Sequence, residues 1–116
     1  MRTTFQPYNY ASLLLRLDRY GEAKSLLRKT LPVARRVLGN NNDLTLKISV
    51  VYANVLYMDP SATLDDTREA VTTLEDTERI ARRVLGGAHP LTDAVEFRLL
   101  ESRAALSARE TPSDSS

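Results

Sequence analysis

Apolar residues recur at steps of three and four along two long segments of the chain, 22–38 and 63–85. This spacing places the apolar side chains on one face of an α-helix and leaves the other face polar. The apolar positions are Ala23, Leu26, Leu27, Leu31, Ala34, Val37 and Leu38 in the first segment, and Ala70, Leu74, Ile80, Ala81, Val84 and Leu85 in the second. A glycine follows each segment, Gly39 and Gly86, and we expect it to adopt the left-handed conformation that commonly ends a helix. The pattern therefore predicts two amphipathic helices.

Three further apolar-rich segments, 8–17, 44–58 and 91–108, complete the pattern. The middle one contains several β-branched residues, which are common in strands. It is nevertheless too long for a typical strand of about five or six residues, and its place between two repeated segments favours a helix. The sequence therefore predicts an all-α protein with five helices in antiparallel succession.

Local signals predict where several of these helices begin and end. Pro60 ends the third helix, because the residue before a proline avoids helical angles. Thr63 followed three residues later by Asp66 predicts a capping box at the start of the fourth. Pro90 suits the first turn of the last helix. Pro32 lies inside the second helix, where it removes a backbone N–H donor and is expected to bend the helix.

The chain contains an internal repeat. The hexapeptide Ala-Arg-Arg-Val-Leu-Gly occupies residues 34–39 and again residues 81–86, an offset of 47 residues. Further matches at the same offset are Glu22-Ala23 with Glu69-Ala70, Leu27 with Leu74, Thr30 with Thr77, and Leu44-Thr45 with Leu91-Thr92. Matches held at one offset over more than twenty residues indicate a tandem repeat of helix pairs.

The repeat predicts the domain organisation. One helical-repeat domain, residues 1–109, contains helix pairs at about 8–38 and 44–85 and a final unpaired helix at about 91–108. This amounts to about two and a half repeats forming a short solenoid. The polar tail, residues 110–116, is expected to be disordered.

Two sequence features resemble a known family. The residues Arg19-Tyr20-Gly21-Glu22-Ala23, at the turn between two paired helices, resemble those of a tetratricopeptide repeat. The Leu-Gly helix ending and the loop Gly86-Gly87-Ala88-His89-Pro90-Leu91-Thr92 resemble the longer repeat of kinesin light chains. The resemblance covers residues 8–105. It implies a right-handed solenoid whose first helices line a concave groove, and a non-enzymatic role in binding a protein or peptide.

The same resemblance assigns candidate groove residues to the first helix of each pair. Asparagines in such grooves hold a peptide backbone, since an amide both donates and accepts hydrogen bonds. The candidates are Tyr8, Asn9, Ser12 and Arg16, then Lys47, Val50, Asn54 and Tyr57, then Phe97, Arg98 and Glu101. A groove of this composition would suit an apolar segment that carries acidic residues. The alternative is that Val50, Val51 and Phe97 are ordinary core residues.

The first predicted helix suggests a second function. Leu13, Leu14, Leu15 and Leu17 are too many apolar residues for one helical face, so its outer side needs a neighbour. We therefore also consider a structural subunit that docks into a larger complex or a homo-oligomer through an edge containing Leu13, Leu14 and Leu15. A preceding segment of a longer repeat array would be another neighbour for the same edge.

Composition and charge disfavour other classes of function. The chain has no cysteine and a single histidine, His89, for which we expect a capping or packing role. We therefore expect no metal site, no cofactor and no catalytic residues. Residues 1–58 carry nine Lys/Arg and three acids, a net charge of +6, whereas residues 59–116 carry seven Arg and twelve acids, a net charge of −5. Such a charge asymmetry can orient a partner or a second copy.

Nucleic acid and membrane are not expected partners. The net charge of +1 lacks the basic footprint of a nucleic-acid-binding protein, and the Arg-Arg pairs of the two hexapeptides suit the carboxyl-terminal ends of helices. No apolar run approaches the roughly 20 residues of a membrane span. Because the amino terminus lacks a secretory pattern, we expect the cytoplasm or another reducing intracellular compartment.

Overall fold

The computed structural model describes residues 6–110, with side chains from Asn9 onward, and this part of the chain is entirely helical apart from its connections. The five helices are α1 (Gln6–Arg16), α2 (Tyr20–Leu38), α3 (Asp43–Met58), α4 (Leu64–Leu85) and α5 (Pro90–Glu110). The prediction of an all-α helical repeat is confirmed. Glu110, assigned to the tail from the sequence, is the last residue of α5, and the predicted disorder of the remaining tail lies outside the described residues.

The helices form two layers. Each helix packs against the next one in the chain, and the short connections make neighbours antiparallel. The helices α1, α3 and α5 also contact one another in sequence order, so they form one layer, and α2 and α4 form the other. The central helix α3 packs against all four others and is therefore buried over most of its circumference.

Side chains cap the helices where the sequence places polar residues. Thr63 and Asp66 form the predicted capping box of α4: Asp66 N–H donates to Thr63 Oγ1 at 3.0 Å, and Thr63 N–H donates to Asp66 Oδ2 at 3.2 Å. Asn42 caps α3 by accepting a 2.8 Å hydrogen bond from Leu44 N–H. His89 has the expected capping role, because its Nδ1 accepts a 3.0 Å hydrogen bond from Leu91 N–H.

The two glycines that end α2 and α4 adopt nearly identical conformations, as the repeat requires. Gly39 has φ 90° and ψ 159°, and Gly86 has φ 92° and ψ 157°. The expectation of a positive φ is correct, but ψ is far from the left-handed helical value of about 47°. Each glycine N–H still bonds the carbonyl four residues earlier, so the chain turns away immediately after the last helical hydrogen bond.

Proline does not interrupt α2. The helix continues from Tyr20 to Leu38 with Pro32 in its interior. Pro32 is exposed, whereas the adjacent Leu31 is in the core. The expected bend at this position stays a prediction.

Small residues let the helices of the first layer approach closely. Ala11 in α1 and Ala53 in α3 are completely buried in the hydrophobic core. The corresponding residue of α5, at the 47-residue offset from Ala53, is Leu100, and its side chain is 65% exposed. The core therefore extends across α1 and α3 and ends at the outer face of α5.

Candidate functional site

One narrow face of α3 remains open between its neighbours α1 and α5. It carries Lys47, Val51, Asn54 and Met58, spaced by three or four residues so that they share this face. Lys47 and Met58 are exposed and Val51 is half-buried. The helices α1 and α5 both contact α3. This face of α3 together with its two flanking helices is called the groove, with α3 as its floor and α1 and α5 as its walls.

Asn54 is the unusual residue of the groove floor. Its side chain is only 8% exposed, although Lys47 and Met58 on the same face are open to solvent. Its Oδ1 atom is buried and has no hydrogen-bond partner in the described part of the chain. A buried acceptor without a partner costs about 1–3 kcal/mol, so this amide oxygen is an unfavourable feature of the free protein.

Three polar side chains join the α5 wall to the floor. Tyr57 Oη donates a 2.7 Å hydrogen bond to Glu101 Oε1, and Arg98 Nη1 donates to the same oxygen at 2.9 Å. Burial, together with the hydrogen bond to Glu101, raises the pKa of Tyr57 to about 12. The hydrogen bonds from Tyr57 and Arg98 lower the pKa of Glu101 below its usual value. Glu101 is therefore ionised and Tyr57 neutral over the physiological range.

The aromatic ring of Phe97, on the α5 wall, contacts the guanidinium group of Arg98. The guanidinium carbon of Arg98 lies 5.4 Å from the centroid of the Phe97 ring, within the range of a cation–π contact. Phe97 itself is 55% exposed. It is therefore not a core residue, in contrast to the alternative considered from the sequence.

The α1 wall is more polar. Asn9 and Arg16 are exposed and Ser12 is half-buried. Arg16 makes no ion pair with a described residue. On the floor, Lys47 Nζ lies 4.0 Å from Asp43 Oδ2, a long and exposed ion pair. Tyr8, also a predicted groove residue, precedes the first residue whose side chain the structure describes.

The structure buries three residues that the sequence assigned to accessible surfaces: Asn54, described above, Val50 and Leu14. Val50 is 9% exposed and belongs to the hydrophobic core, since it is displaced from the open face toward the packed side of α3. Leu14 is 2% exposed and also belongs to the core. Leu13 remains exposed and Leu15 is half-buried, so the outer edge of α1 is narrower than expected.

The sequence reasoning overlooked Met58, although its position four residues after Asn54 places it on the same face. Val51, for which the sequence left a core position open, is half-buried and packs against the core, on the same face of α3 as Asn54. The helical register was the signal in both cases.

The opposite side of α3 is a structural junction between α2 and α4. Tyr52 Oη donates a 2.6 Å hydrogen bond to Glu69 Oε2 and accepts one of 3.0 Å from Arg28 Nε. Lys24 Nζ lies 3.3 Å from Asp66 Oδ2, a second link between the same two helices. These residues link α2 and α4 on the side of α3 that lies away from the groove.

A known family model matches part of the chain, in the first helix pair. Residues 9–43 match the family model of the tetratricopeptide repeat. The matched segment covers most of α1, all of α2 and the loop that leads into α3. No curated protein and no solved structure matches the chain.

A tetratricopeptide repeat is a protein–protein interaction module and is typically not an enzyme. The internal repeat relates the end of α2, in the matched pair, to the end of α4 at an offset of 47 residues. Among the described residues no group of three or more acidic or histidine side chains could hold a metal ion. Within the same residues, no helix is long and apolar enough to cross a membrane.

Proposed function

We propose that the groove between α1, α3 and α5 binds an extended segment of a partner protein. The observation that carries the proposal is the buried, unpartnered Oδ1 of Asn54 in the floor of the groove. A peptide backbone offers an N–H donor at every residue except proline. A segment lying along α3 would therefore satisfy the acceptor that the free protein leaves unsatisfied.

The residues around Asn54 suggest the chemistry of the segment. Val51 and Met58 offer apolar contact area on both sides of the amide, and methionine adapts to irregular surfaces. Arg16 on the α1 wall is a cation without an ionic partner among the described residues, and Lys47 has only a weak, exposed one. We therefore propose an apolar segment that carries acidic residues, with its carboxylates toward Arg16 and Lys47.

In this proposal the protein acts by binding alone, as an intracellular adaptor or scaffold without cofactor, catalysis or nucleic acid. The loop from Gly86 to Thr92, with His89 before Pro90, supports placing the repeat with the kinesin light chain type. Two hydrogen bonds hold this loop against the start of α5. His89 caps α5, and Thr92 Oγ1 donates a 2.8 Å hydrogen bond to the carbonyl of Gly86.

A second candidate function is a structural subunit that docks through α1. Tyr10 and Leu13 share one face of α1, Leu17 directly follows the helix, and all three side chains are exposed. The position equivalent to Leu13 in α3 is Val55, counted from the paired small residues Ala11 and Ala53, and it is completely buried. The edge therefore has the composition of a surface that another helix covers.

Binding selection distinguishes the two functions. A displayed library of random peptides would be selected on the immobilised wild-type protein, and the affinity of the selected peptides measured by calorimetry. Groove binding predicts that Asn54→Leu and Lys47→Glu each weaken binding about tenfold or more, as truncation of central contacts does. The matched control, Lys29→Glu, changes the same charge on exposed α2 and should leave affinity unchanged.

Two results would contradict the groove. Selected peptides that bind Asn54→Leu and Lys47→Glu as tightly as wild type would exclude it. Peptides whose binding is instead lost in Leu13→Asp and Leu17→Asp, with unchanged circular dichroism, would favour the α1 edge.

A further inference from the structure

A cavity of about 320 Å³ lies between the carboxyl-terminal halves of α2 and α4, in the helix layer that faces away from the groove. The lining combines charged, polar and apolar side chains, namely Arg35, Asn40, Asp76, Arg79, Ile80 and Arg83. All of them except the half-buried Ile80 are exposed. A ligand can therefore reach the charged groups directly from solvent.

The cavity contains more positive charge than its own acid neutralises. Three guanidinium groups and one carboxylate line it, a net charge of +2. Asp76 bonds Arg79, its neighbour one turn along α4. Arg83 Nη2 donates a 3.1 Å hydrogen bond to the neutral Asn41 Oδ1, and the side chain of Arg35 has no hydrogen bond or ion pair with a described residue. Two of the three cations therefore lack a counter-ion within the described part of the chain.

The internal repeat shows that the unpaired state of Arg35 is particular to the first helix pair. At the 47-residue offset Arg35 corresponds to Arg82. Arg82 is neutralised by two acids, since its Nε atom lies 2.8 Å from Glu78 Oε2 and its Nη2 atom bonds Glu96. The positions that correspond to these acids, 31 and 49, hold a leucine and a serine. The same helical position thus carries a paired arginine in one repeat and, in the other, a guanidinium beside a cavity with no acid to neutralise it.

The composition of the lining suits a phosphoryl group. Each guanidinium presents its N–H donors in a planar fork that matches phosphate oxygens bidentately. A phosphate monoester carries about −1.5 to −2 charge at pH 7 and three strong acceptor oxygens. These values match the net charge of +2 and the three guanidinium groups of the cavity. A single carboxylate would leave one of the positive charges without a counter-ion.

The surroundings favour one isolated group over a chain of phosphates. Between the same two helices, the next cations toward the amino-terminal ends are already paired. Arg28 Nη2 lies 3.2 Å from Glu69 Oε1, and Lys24 Nζ lies 3.3 Å from Asp66 Oδ2. A nucleic-acid backbone is held by a row of cations that neutralise successive phosphates. Between α2 and α4 no such row extends from the cavity among the described residues.

We propose that this cavity binds the phosphoryl group of a phosphate monoester, with Arg35 and Arg83 as its principal contacts. Arg79 and the side-chain amide of Asn40 supply further donors from the lining. The phosphoryl group belongs either to a phosphorylated side chain of a partner protein or to a small phosphate compound, because both present the same oxygens. The site is separate from the groove, so it does not depend on the function proposed for that surface.

Titration of the full chain with inorganic phosphate, followed by nuclear magnetic resonance of the arginine Nε–H groups, tests the site. The signals of Arg35 and Arg83 should shift and saturate with phosphate, but not with chloride at the same ionic strength. Arg35→Gln and Arg83→Gln should each raise the phosphate dissociation constant about tenfold, because each removes a charge-assisted contact. The matched control Arg36→Gln removes the same charge from the same last turn of α2, outside the lining, and should leave the dissociation constant unchanged. All three arginines are exposed, so the variants should keep the wild-type circular dichroism.

Phosphorylated probes distinguish the two sources of the phosphoryl group. A degenerate phosphoserine peptide library that binds more tightly than inorganic phosphate, while its unphosphorylated counterpart does not bind, would support a phosphorylated partner protein. Equal affinities for the free amino acid phosphoserine and for the peptide library would support a small phosphate compound. With either ligand, Arg35→Gln should weaken binding and Arg36→Gln should not.

Three results would overturn the proposal. Phosphate shifts that are no larger than those with chloride would show that the cavity does not select a phosphoryl group. An equal loss of affinity in Arg36→Gln would show that binding follows overall charge rather than the cavity. A random single-stranded oligonucleotide that binds more tightly than the phosphopeptides would indicate a nucleic-acid surface instead.

Discussion

Tyr57 of α3 donates a 2.7 Å hydrogen bond to Glu101 of α5, and this contact ties the floor of the groove to one of its walls. The two residues lie 44 positions apart in sequence, so the bond links consecutive repeats. Glu101 also accepts a hydrogen bond from Arg98 and therefore satisfies one donor from each helix. The shape of the groove on this side depends on this three-residue contact.

Alkaline titration should reveal the contact. The pKa of Tyr57 is raised from 10.0 to about 12, first by burial and then by the hydrogen bond to Glu101. A raised tyrosine pKa stabilises the folded state below pH 10, and this contribution is lost as the pH rises through about 12. Tyrosinate absorbance should show a late ionisation in the wild type that shifts to lower pH in Glu101→Gln. Because burial also raises the pKa of Tyr52, the late step should become smaller in Tyr57→Phe rather than vanish. A late step of unchanged amplitude in that variant would contradict this account.

Acid should weaken the start of α4 through Asp66. Burial alone would raise the pKa of Asp66, but hydrogen bonds from Thr63 and Lys24 outweigh it and lower the pKa below 3.8. A lowered carboxyl pKa stabilises the fold above the unfolded value, and the stabilisation is lost as the pH falls through the folded value.

Urea unfolding of wild type and Asp66→Asn measures this effect. At neutral pH the variant should be less stable by about 1 kcal/mol, the usual size of a capping interaction. In acid below pH 3.8, as the native carboxyl with its lowered pKa becomes protonated, the difference should shrink. A difference that is the same at both pH values would show that the charge of Asp66 contributes nothing.

Glycine replacements should have opposite effects at two positions. Gly39 has a φ of 90°, a conformation that side chains rarely adopt, so Gly39→Ala should destabilise the fold by about 1 kcal/mol or more. Gly21 is inside α2 and has open space around an added Cβ, so Gly21→Ala should stabilise by about 0.5–1 kcal/mol. Thermal unfolding of both variants provides the comparison. Equal effects of the same sign would contradict the backbone argument.

Much of the fold could be predicted because the repeat and the helical period act together. The 47-residue repeat supplied the helix pairs, and Thr63 with Asp66 supplied the start of α4 through local chemistry alone. The prediction that α2 and α4 end at Gly39 and Gly86 with a positive φ is correct. The ψ angle of these glycines could not be predicted, because glycine adopts several conformations with positive φ. That choice depends on where the next helix packs.

The site was predicted less well, since burial depends on neighbours that the sequence does not specify. Val50 and Val51 are adjacent in sequence, yet one lies in the core and the other beside the groove. Leu14 belongs to the core for the same reason, although the leucine run around it suggested an exposed edge. The isolation of the Asn54 Oδ1 atom is a three-dimensional fact, because only the packed helices reveal that no described donor reaches it.

Replacing Asn54 should separate stability from binding. Asn54→Leu removes a buried acceptor that has no described partner, and such replacements by apolar residues of similar shape are neutral or stabilising. Chemical unfolding should therefore show a free energy of unfolding that is equal to or above the wild-type value. A loss of 2 kcal/mol or so would instead indicate that the amide has a structural role in the free protein.

The most direct test of the central claim is a backbone N-methyl scan of a selected peptide against wild type and Asn54→Leu, with affinities measured by calorimetry. N-methylation removes one N–H donor at a time and leaves the side chains intact. If a peptide N–H satisfies Asn54, one methylated position should weaken wild-type binding about tenfold or more and have little further effect on Asn54→Leu. Losses that add independently in the two proteins would contradict the proposed contact between the peptide backbone and Asn54.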